Sequence, residues 1–109
     1  MQREGYYDFM LRKTSEDRME KELKKQQLRE LMMITAEECG EVTQVCCKVL
    51  RRDEMDKKRL DHLIEEIGDI QCMINLLVEH GVLTNDEINA RVLVKRNKLK
   101  KWSTLINET

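Results

Sequence analysis

The strongest constraint on the fold of this chain is the spacing of its apolar residues, which recur every three or four positions. Two segments show this spacing, with apolar residues at Leu31, Ile34, Val42, Val45 and Val49, and at Leu60, Leu63, Ile67, Ile70, Ile74 and Leu77. There is no proline, and apolar and polar residues do not alternate over a useful length. Such spacing places apolar side chains on one face of a helix, whereas alternation would indicate a strand. The sequence therefore predicts an all-α fold.

Capping residues set the expected ends of the later helices. Asp56 is placed to begin a helix over residues 57–80, and Gly81 is placed to stop it. Thr84 and Glu87, in the segment TNDE, form a capping box for a last helix that reaches about residue 105.

The first part of the chain is less constrained. Thr14 and Ser15 are candidate N-caps, so we expect either one helix over about 15–51 or two helices with a break near 25–29. Three of the four aromatic residues precede this segment, at Tyr6, Tyr7 and Phe9. We therefore interpret residues 1–14 as an N-terminal arm that docks through its aromatic side chains.

The composition predicts a single domain, residues 1–109, with a thin core. With only four aromatic residues, that core must consist of Leu, Ile, Val and Met. Three or four slender helices leave an apolar face over, so we expect self-association, to at least a dimer, to complete a helical bundle. Gly40 and Gly68 lie inside predicted helices, where glycine is unfavourable, and this favours close approach of another helix or subunit there.

Charge and cysteine content exclude several classes of function. The net charge is −1, which gives no general attraction to nucleic acid or an anionic membrane. No apolar run is long enough for a membrane span and no signal peptide is apparent, so we expect a cytoplasmic protein. The four cysteines are Cys39, Cys46, Cys47 and Cys72. They follow helical patterns without metal-ligand spacing, so we expect buried, reduced thiols and not a zinc site with His62 or His80.

An acidic pentad occurs twice, as EECGE at residues 37–41 and as EEIGD at residues 65–69. At about 100° per residue, Glu38 falls within the apolar stripe of its helix and Glu41 at the margin. Glu66 and Asp69 repeat that arrangement in the second helix. Glu37 and Glu65, the outer acids of the pentads, point away. One pair of acids in each helix is thus predicted to face the core.

The two inward pairs lie at the same distance from the turn between the helices. Glu38 and Glu41 lie 10 to 13 residues before Arg51, and Glu66 and Asp69 lie 10 to 13 residues after Asp56. In an antiparallel helix pair, four carboxylates would converge. Without a cation such a cluster is unfavourable, and ligands that are all oxygen suit Mg²⁺, with Mn²⁺ as a second possibility. Ion pairing with lysines and arginines is the alternative. A di-iron centre is excluded, because the chain lacks the Glu-x-x-His motif.

With these acids, the chain resembles the MazG-like nucleotide pyrophosphohydrolases. The motifs that carry the resemblance are ExxE at residues 38–41 and ExxD at residues 66–69. The segments AEECGEVTQVCCKVLR, RLDHLIEEIGDIQCMINLL and KRNKLKKWS also resemble the compact, single-domain members found in bacteriophages. The resemblance covers about residues 28–104 and leaves residues 1–27 unassigned.

The resemblance implies an enzyme that works in nucleotide-pool control. Members of the family are helical bundles built by dimers or tetramers. They cleave nucleoside triphosphates between the α and β phosphates, giving a monophosphate and pyrophosphate. Their Mg²⁺ is held by four acids, which correspond here to Glu38, Glu41, Glu66 and Asp69. Hydrolysis also needs a base, and Glu38, which faces the core most directly, is our candidate catalytic residue.

Four further residues are candidates for substrate binding. Lys48 lies on the same helix face as Glu41 and is placed to hold a phosphate, although a lysine lying along the surface fits equally well. Lys95 and Lys98 could reach the phosphates, and Trp102 could stack on the base or pack in a core or dimer interface. The alternative function is a helical interaction or regulatory dimer of the same fold that has lost catalysis.

Overall fold

The protein is all-α, as the sequence predicts. In this computed structural model, the backbone is described for residues 3–106 and the side chains for residues 16–106. Three helices make up this part of the chain: α1 spans Arg3–Arg52, α2 spans Lys57–Glu79 and α3 spans Asn85–Trp102. No strand occurs in residues 3–106. None of the helices in the described residues is long and apolar enough to cross a membrane.

The first helix is one continuous element. It begins at Arg3, so the prediction that Thr14 or Ser15 caps its start is wrong, and there is no break near residues 25–29. The absence of proline allows the helix to continue through these positions, since a serine or threonine does not stop a helix already formed. The expected arm, residues 1–14, enters α1 from Arg3 onward. The side chains of Tyr6, Tyr7 and Phe9 lie outside the described residues.

A four-residue connection, residues 53–56, joins α1 to α2. Asp53 adopts a left-handed backbone conformation with φ of 54°, and its N–H donates to the carbonyl of Val49 at 2.8 Å. Asp tolerates this conformation better than most residues do. Asp56 then caps α2 as predicted, because its Oδ1 accepts a hydrogen bond from the backbone N–H of Arg59 at 2.9 Å.

The end of α2 and the start of α3 also follow the sequence. Gly81 has φ of 73°, and its N–H donates to Val78 while that of Val82 donates to Leu77, both at 2.9 Å. This is the pairing of a Schellman motif, which favours glycine at the left-handed position. The predicted capping box of Thr84 and Glu87 is present, with the Glu87 N–H donating to Thr84 Oγ1 at 3.1 Å.

The chain divides into two units, Met1–Ile70 and Gln71–Thr109, with the boundary inside α2. In the first unit the buried apolar residues are Leu31 and Val45, and in the second they are Met73 and Leu77. No residue of α3 is buried. Each unit thus buries only two apolar side chains among the described residues, which is few for a chain of this length.

One expectation about individual residues is corrected, and a second is restricted to the alternative of another subunit. All four cysteines are free thiols, but they are exposed and not buried. They lie in helices whose buried faces are filled by other residues, such as Val45 and Met73. Gly40 and Gly68 also lack the expected neighbour within the chain, because a methyl group added at either would meet nothing within 4 Å among the described residues.

Candidate metal centre

Three acids from the two pentads come together. Glu38 of α1 and Glu66 and Asp69 of α2 each offer one carboxylate oxygen, and these oxygens all lie within 4.8 Å of one another. That span is compatible with three ligands around one small cation, since oxygen ligands lie about 2.0–2.6 Å from Mg²⁺ or Ca²⁺. The cluster lies entirely within the unit formed by residues 1–70.

Local structure explains why these side chains meet. The connection of residues 53–56 is short, and α2 begins at the Asp56 cap, so α2 can fold back along the end of α1. Glu66 and Asp69 are three residues apart and therefore lie on one face of α2. The oxygens of Glu38 and of these two acids lie within 4.8 Å, so the second half of α1 and the first half of α2 bring them to one level.

Glu66 is the most deeply buried of the acids. Only 6% of it is exposed, and its Oε1 lies 3.2 Å from Nε2 of His62, one turn earlier on α2. Its Oε2 is buried and has no hydrogen-bond partner among the described residues. A buried carboxylate oxygen without a partner is strongly unfavourable. Beside the carboxylates of Glu38 and Asp69, this oxygen has the chemistry of a ligand for a hard cation.

The carboxyl group of Glu38 lies close to the negative charges of the neighbouring acids. Its side chain is half-buried, and its pKa is raised above the ordinary value of a glutamate. Loss of hydration is the largest cause, and the charges of Asp69 and Glu66 add to it. Smaller contributions come from Glu41 and Glu37. A cation in the cluster would reverse this effect, because it favours the ionised carboxylate.

Glu41 differs from the other three predicted ligands. It is exposed and lies outside the group of Glu38, Glu66 and Asp69, although its charge reaches Glu38. Glu37 and Glu65 are exposed, as the helical spacing predicts. The structure thus separates the half-buried Glu38 and the nearly buried Glu66 from the exposed members of the same pentads.

The predicted substrate-binding residues are all accessible. Lys48 is exposed on α1, and Lys95 and Lys98 are exposed on α3. Trp102 is 85% exposed, so packing in the core of its own chain is excluded as its role. Lys95 lines a groove of about 400 Å³ with the apolar side chains of Leu83, Ile88 and Val92 and the polar side chains of Glu87 and Arg91.

His62 is the residue at this centre that the sequence reasoning did not assign. The spacing in the sequence argues against a zinc site at His62 and gives it no other role, whereas the structure places its Nε2 beside Glu66 Oε1. The i, i+4 spacing of His62 and Glu66 on one helix was the available signal, because residues four apart are neighbours on a helix surface.

Comparisons with known proteins add nothing to this geometry. No family model matches the chain, and no curated protein or solved structure is significantly similar to it.

Proposed function

We propose that this protein is a Mg²⁺-dependent nucleoside triphosphate pyrophosphohydrolase that cleaves between the α and β phosphates. Its products are a nucleoside monophosphate and pyrophosphate, and its role is nucleotide-pool control. One observation carries the proposal. Three carboxylates from two helices meet within 4.8 Å, and one of them, Glu66, is nearly buried and keeps an oxygen without a partner.

The donor set fits a hard divalent cation. Glu38, Glu66 and Asp69 offer only carboxylate oxygens, which Mg²⁺ and Mn²⁺ accept and which softer metals do not select. Glu41 lies close enough to influence Glu38 and is proposed as the fourth acid. An antiparallel helix pair with ExxE on one helix and ExxD on the other is the arrangement that this assignment needs.

The bound cation and Glu38 are proposed to have separate chemical roles. When bound, Mg²⁺ neutralises phosphate charge and acidifies a water molecule. A triphosphate carries about four negative charges at neutral pH, so the acidic cluster needs this neutralisation before the substrate can approach. Glu38, the half-buried acid that α1 contributes to the cluster, is proposed to take the proton of the attacking water. The oxygen of that water bonds to a phosphorus of the α–β anhydride, and the bond from this phosphorus to the bridging oxygen breaks.

Substrate contacts are proposed for side chains that lie outside the cluster. Lys48 is exposed on the same helix as Glu38, and its ammonium group can pair with a phosphate. Lys95 and Lys98 offer the same chemistry from α3, and the exposed indole of Trp102 can stack on a base. Nothing in these residues selects a particular base or sugar.

Self-association belongs to the same proposal. Only four apolar side chains are buried among the described residues, and many large apolar side chains remain exposed, including Ile64 at 61% and Leu93 at 64%. Burial of such residues is the main driving force for assembly. We therefore propose a dimer or tetramer, and a chain that sediments as a monomer at micromolar concentration contradicts it. The free thiols fit a reducing compartment such as the cytoplasm, the host's cytoplasm for a phage protein.

The exposed apolar residues also favour the rival function, a helical interaction protein without catalysis. A panel of ribonucleoside and deoxyribonucleoside triphosphates, incubated with and without Mg²⁺, separates the two. Monophosphate and pyrophosphate in equal amounts, formed only with Mg²⁺, support the enzyme. Release of orthophosphate alone excludes the proposed bond cleavage, and no turnover of any nucleotide favours the interaction protein. The panel also identifies the preferred substrate.

A further inference from the structure

The two threonines in the second half of α1 use their hydroxyl groups differently. Thr43 is exposed, and its Oγ1 donates to the carbonyl of Cys39 at 2.9 Å. A threonine inside a helix commonly makes this bond to the preceding turn. Thr35 is half-buried, and its Oγ1 is buried and has no hydrogen-bond partner among the described residues. A buried hydroxyl group without a partner is unfavourable, so helix formation alone does not account for Thr35.

Thr35 lies on the inward face of α1, one turn before Glu38. Seven residues separate it from Val42, the centre of the apolar stripe, so the two lie about 20° apart around the helix. Glu38 is three residues away and is therefore a neighbour on the helix surface, with Cβ atoms about 5–6 Å apart. Because α2 folds back along α1, the step from Glu38 to Thr35 leads toward Asp69, the later acid of α2. The buried hydroxyl group is thus adjacent to the cluster of carboxylates.

The acidic cluster contains a second buried polar group with an unpaired atom. Only 6% of Glu66 is exposed, and its Oε2 has no partner among the described residues. A Mg²⁺ ion bound by carboxylates usually keeps several water molecules in an octahedral arrangement. The cation polarises the O–H bonds of such a water, which makes the water a strong donor. A threonine hydroxyl group offers two acceptor lone pairs, so Thr35 has the chemistry to receive this bond.

We propose that Thr35 is a positioning residue of the candidate metal centre, whose Oγ1 accepts a hydrogen bond from a water molecule on the bound cation. The inference rests on the metal site of the proposed function and adds to it a residue that carries no charge. Outer partners of this kind orient the groups that surround a metal ion. A hydroxyl group that serves only the packing of α1 would have no effect on cation binding.

Thr35→Val tests this role in the full-length chain, because it keeps the branched shape and replaces the hydroxyl group with a methyl group. Without metal, the variant should melt at or above the temperature of the unmodified chain, since a buried polar group without a partner is removed. Its affinity for Mn²⁺, used as a spectroscopic probe, should fall about tenfold, as is typical when an outer partner of a metal site is lost. Thr35→Ser keeps the hydroxyl group and should retain most of the affinity.

Thr43→Val is the matched control. It makes the same chemical change in the same helix at an exposed position, so the affinity for Mn²⁺ should not change. Unchanged affinity in Thr35→Val overturns the inference, and so does a Thr35→Ser variant that binds as weakly as Thr35→Val. A melting temperature of metal-free Thr35→Val below that of the unmodified chain also overturns it, because the hydroxyl group would then stabilise the fold itself. An equal loss of affinity in Thr43→Val has the same consequence.

These measurements need no nucleotide, so the inference and the proposed enzymatic function can fail separately. If the unmodified chain and Thr35→Val bind Mn²⁺ equally well, the inference fails while the function is unaffected. If Thr35→Val loses affinity for Mn²⁺ and the unmodified chain hydrolyses no nucleotide, the inference stands and the enzymatic function fails. An unmodified chain that binds no Mn²⁺ overturns both.

Discussion

The two acidic pentads, residues 37–41 and 65–69, have nearly the same sequence but different surroundings. In the first, Glu38 is half-buried and Glu41 is exposed outside the cluster. In the second, Glu66 is 6% exposed and Asp69 joins the cluster although it is exposed. The repeat therefore does not make four equivalent carboxylates. Packing places Glu66 in an enclosed position with an unpaired oxygen, and leaves Glu38 half-buried with a raised pKa.

The largest effect is expected at Glu66. Glu66→Gln keeps the volume of the side chain but removes its charge, so binding of Mn²⁺ as a spectroscopic probe should weaken by more than about 100-fold. Changes to residues that only orient a ligand already cost 10–100-fold. Stability without metal should hold or rise, because carboxylate repulsion is relieved.

Glu65→Gln is the matched control for that change. Glu65 is exposed and lies next to Glu66 in the same pentad, so this variant should keep most of the metal binding. If Glu65→Gln weakens metal binding as much as Glu66→Gln does, the loss does not depend on whether the acid points inward or outward.

A smaller difference is expected between the last acids of the two pentads. Asp69→Asn should weaken metal binding by about 100-fold and Glu41→Gln by only about tenfold, because Asp69 lies in the cluster and Glu41 acts through its charge. Titration of both variants with Mn²⁺ measures the difference. Equal losses would mean that Glu41 turns into the cluster when the metal binds, and the asymmetry between the pentads would then belong to the metal-free state alone.

A change of His62 should reduce metal affinity less than the loss of Glu66 or Asp69 does. His62→Ala removes the contact with Glu66 Oε1 at 3.2 Å, so Glu66 is held less firmly. We expect metal affinity to fall about tenfold, as is typical when a residue that orients a ligand is removed. His80→Ala is the control, since His80 is exposed just beyond the end of α2. Unchanged metal affinity in His62→Ala would show that Glu66 is positioned by packing alone.

The smallest effect is expected on folding stability, at Asp56. This residue caps α2 and so sets where α2 begins and where the second pentad lies. The pKa of Asp56 is lowered, mainly by the hydrogen bond from the backbone N–H of Arg59. A lowered pKa stabilises the folded protein above the ordinary aspartate value of 3.8, and this stabilisation is lost as the pH falls through the folded value. Asp56→Asn keeps a good N-cap but cannot titrate.

Thermal denaturation of both proteins at neutral and acid pH measures this contribution. Asp56→Asn should melt below the unmodified chain at pH 7, and the gap should close as the pH falls below 3.8. A gap that stays constant would mean that the ionisation of Asp56 does not stabilise α2. Asp61→Asn, at an exposed acid further along the same helix, serves as the control.

Features that depend on nearby residues could be predicted from the sequence. The Asp56 cap, the Gly81 stop and the Thr84–Glu87 capping box are decided within one turn of helix, and all three are present. The outward direction of Glu37 and Glu65 follows from helical spacing alone. These predictions needed no knowledge of how the helices pack.

Features that depend on packing could not be predicted in the same way. The cysteines were expected to be buried because thiols usually are, but their exposure depends on which helix faces find a partner. The same holds for Glu66, whose burial exceeds that of Glu38 although the two positions correspond in the repeat. The start of α1 at Arg3 was missed because a candidate cap at Thr14 or Ser15 acts only where a helix begins.

The exposed thiols have a practical consequence for every measurement of assembly. Cys39, Cys46, Cys47 and Cys72 are accessible to dissolved oxygen, and thiolates at the surfaces of two molecules can be oxidised to a disulfide that joins them. Such a covalent dimer survives dilution and denaturant, unlike one held by apolar contacts. Samples kept under reductant, with a non-reducing gel run beside each sedimentation experiment, distinguish assembly encoded by the fold from crosslinking acquired during storage.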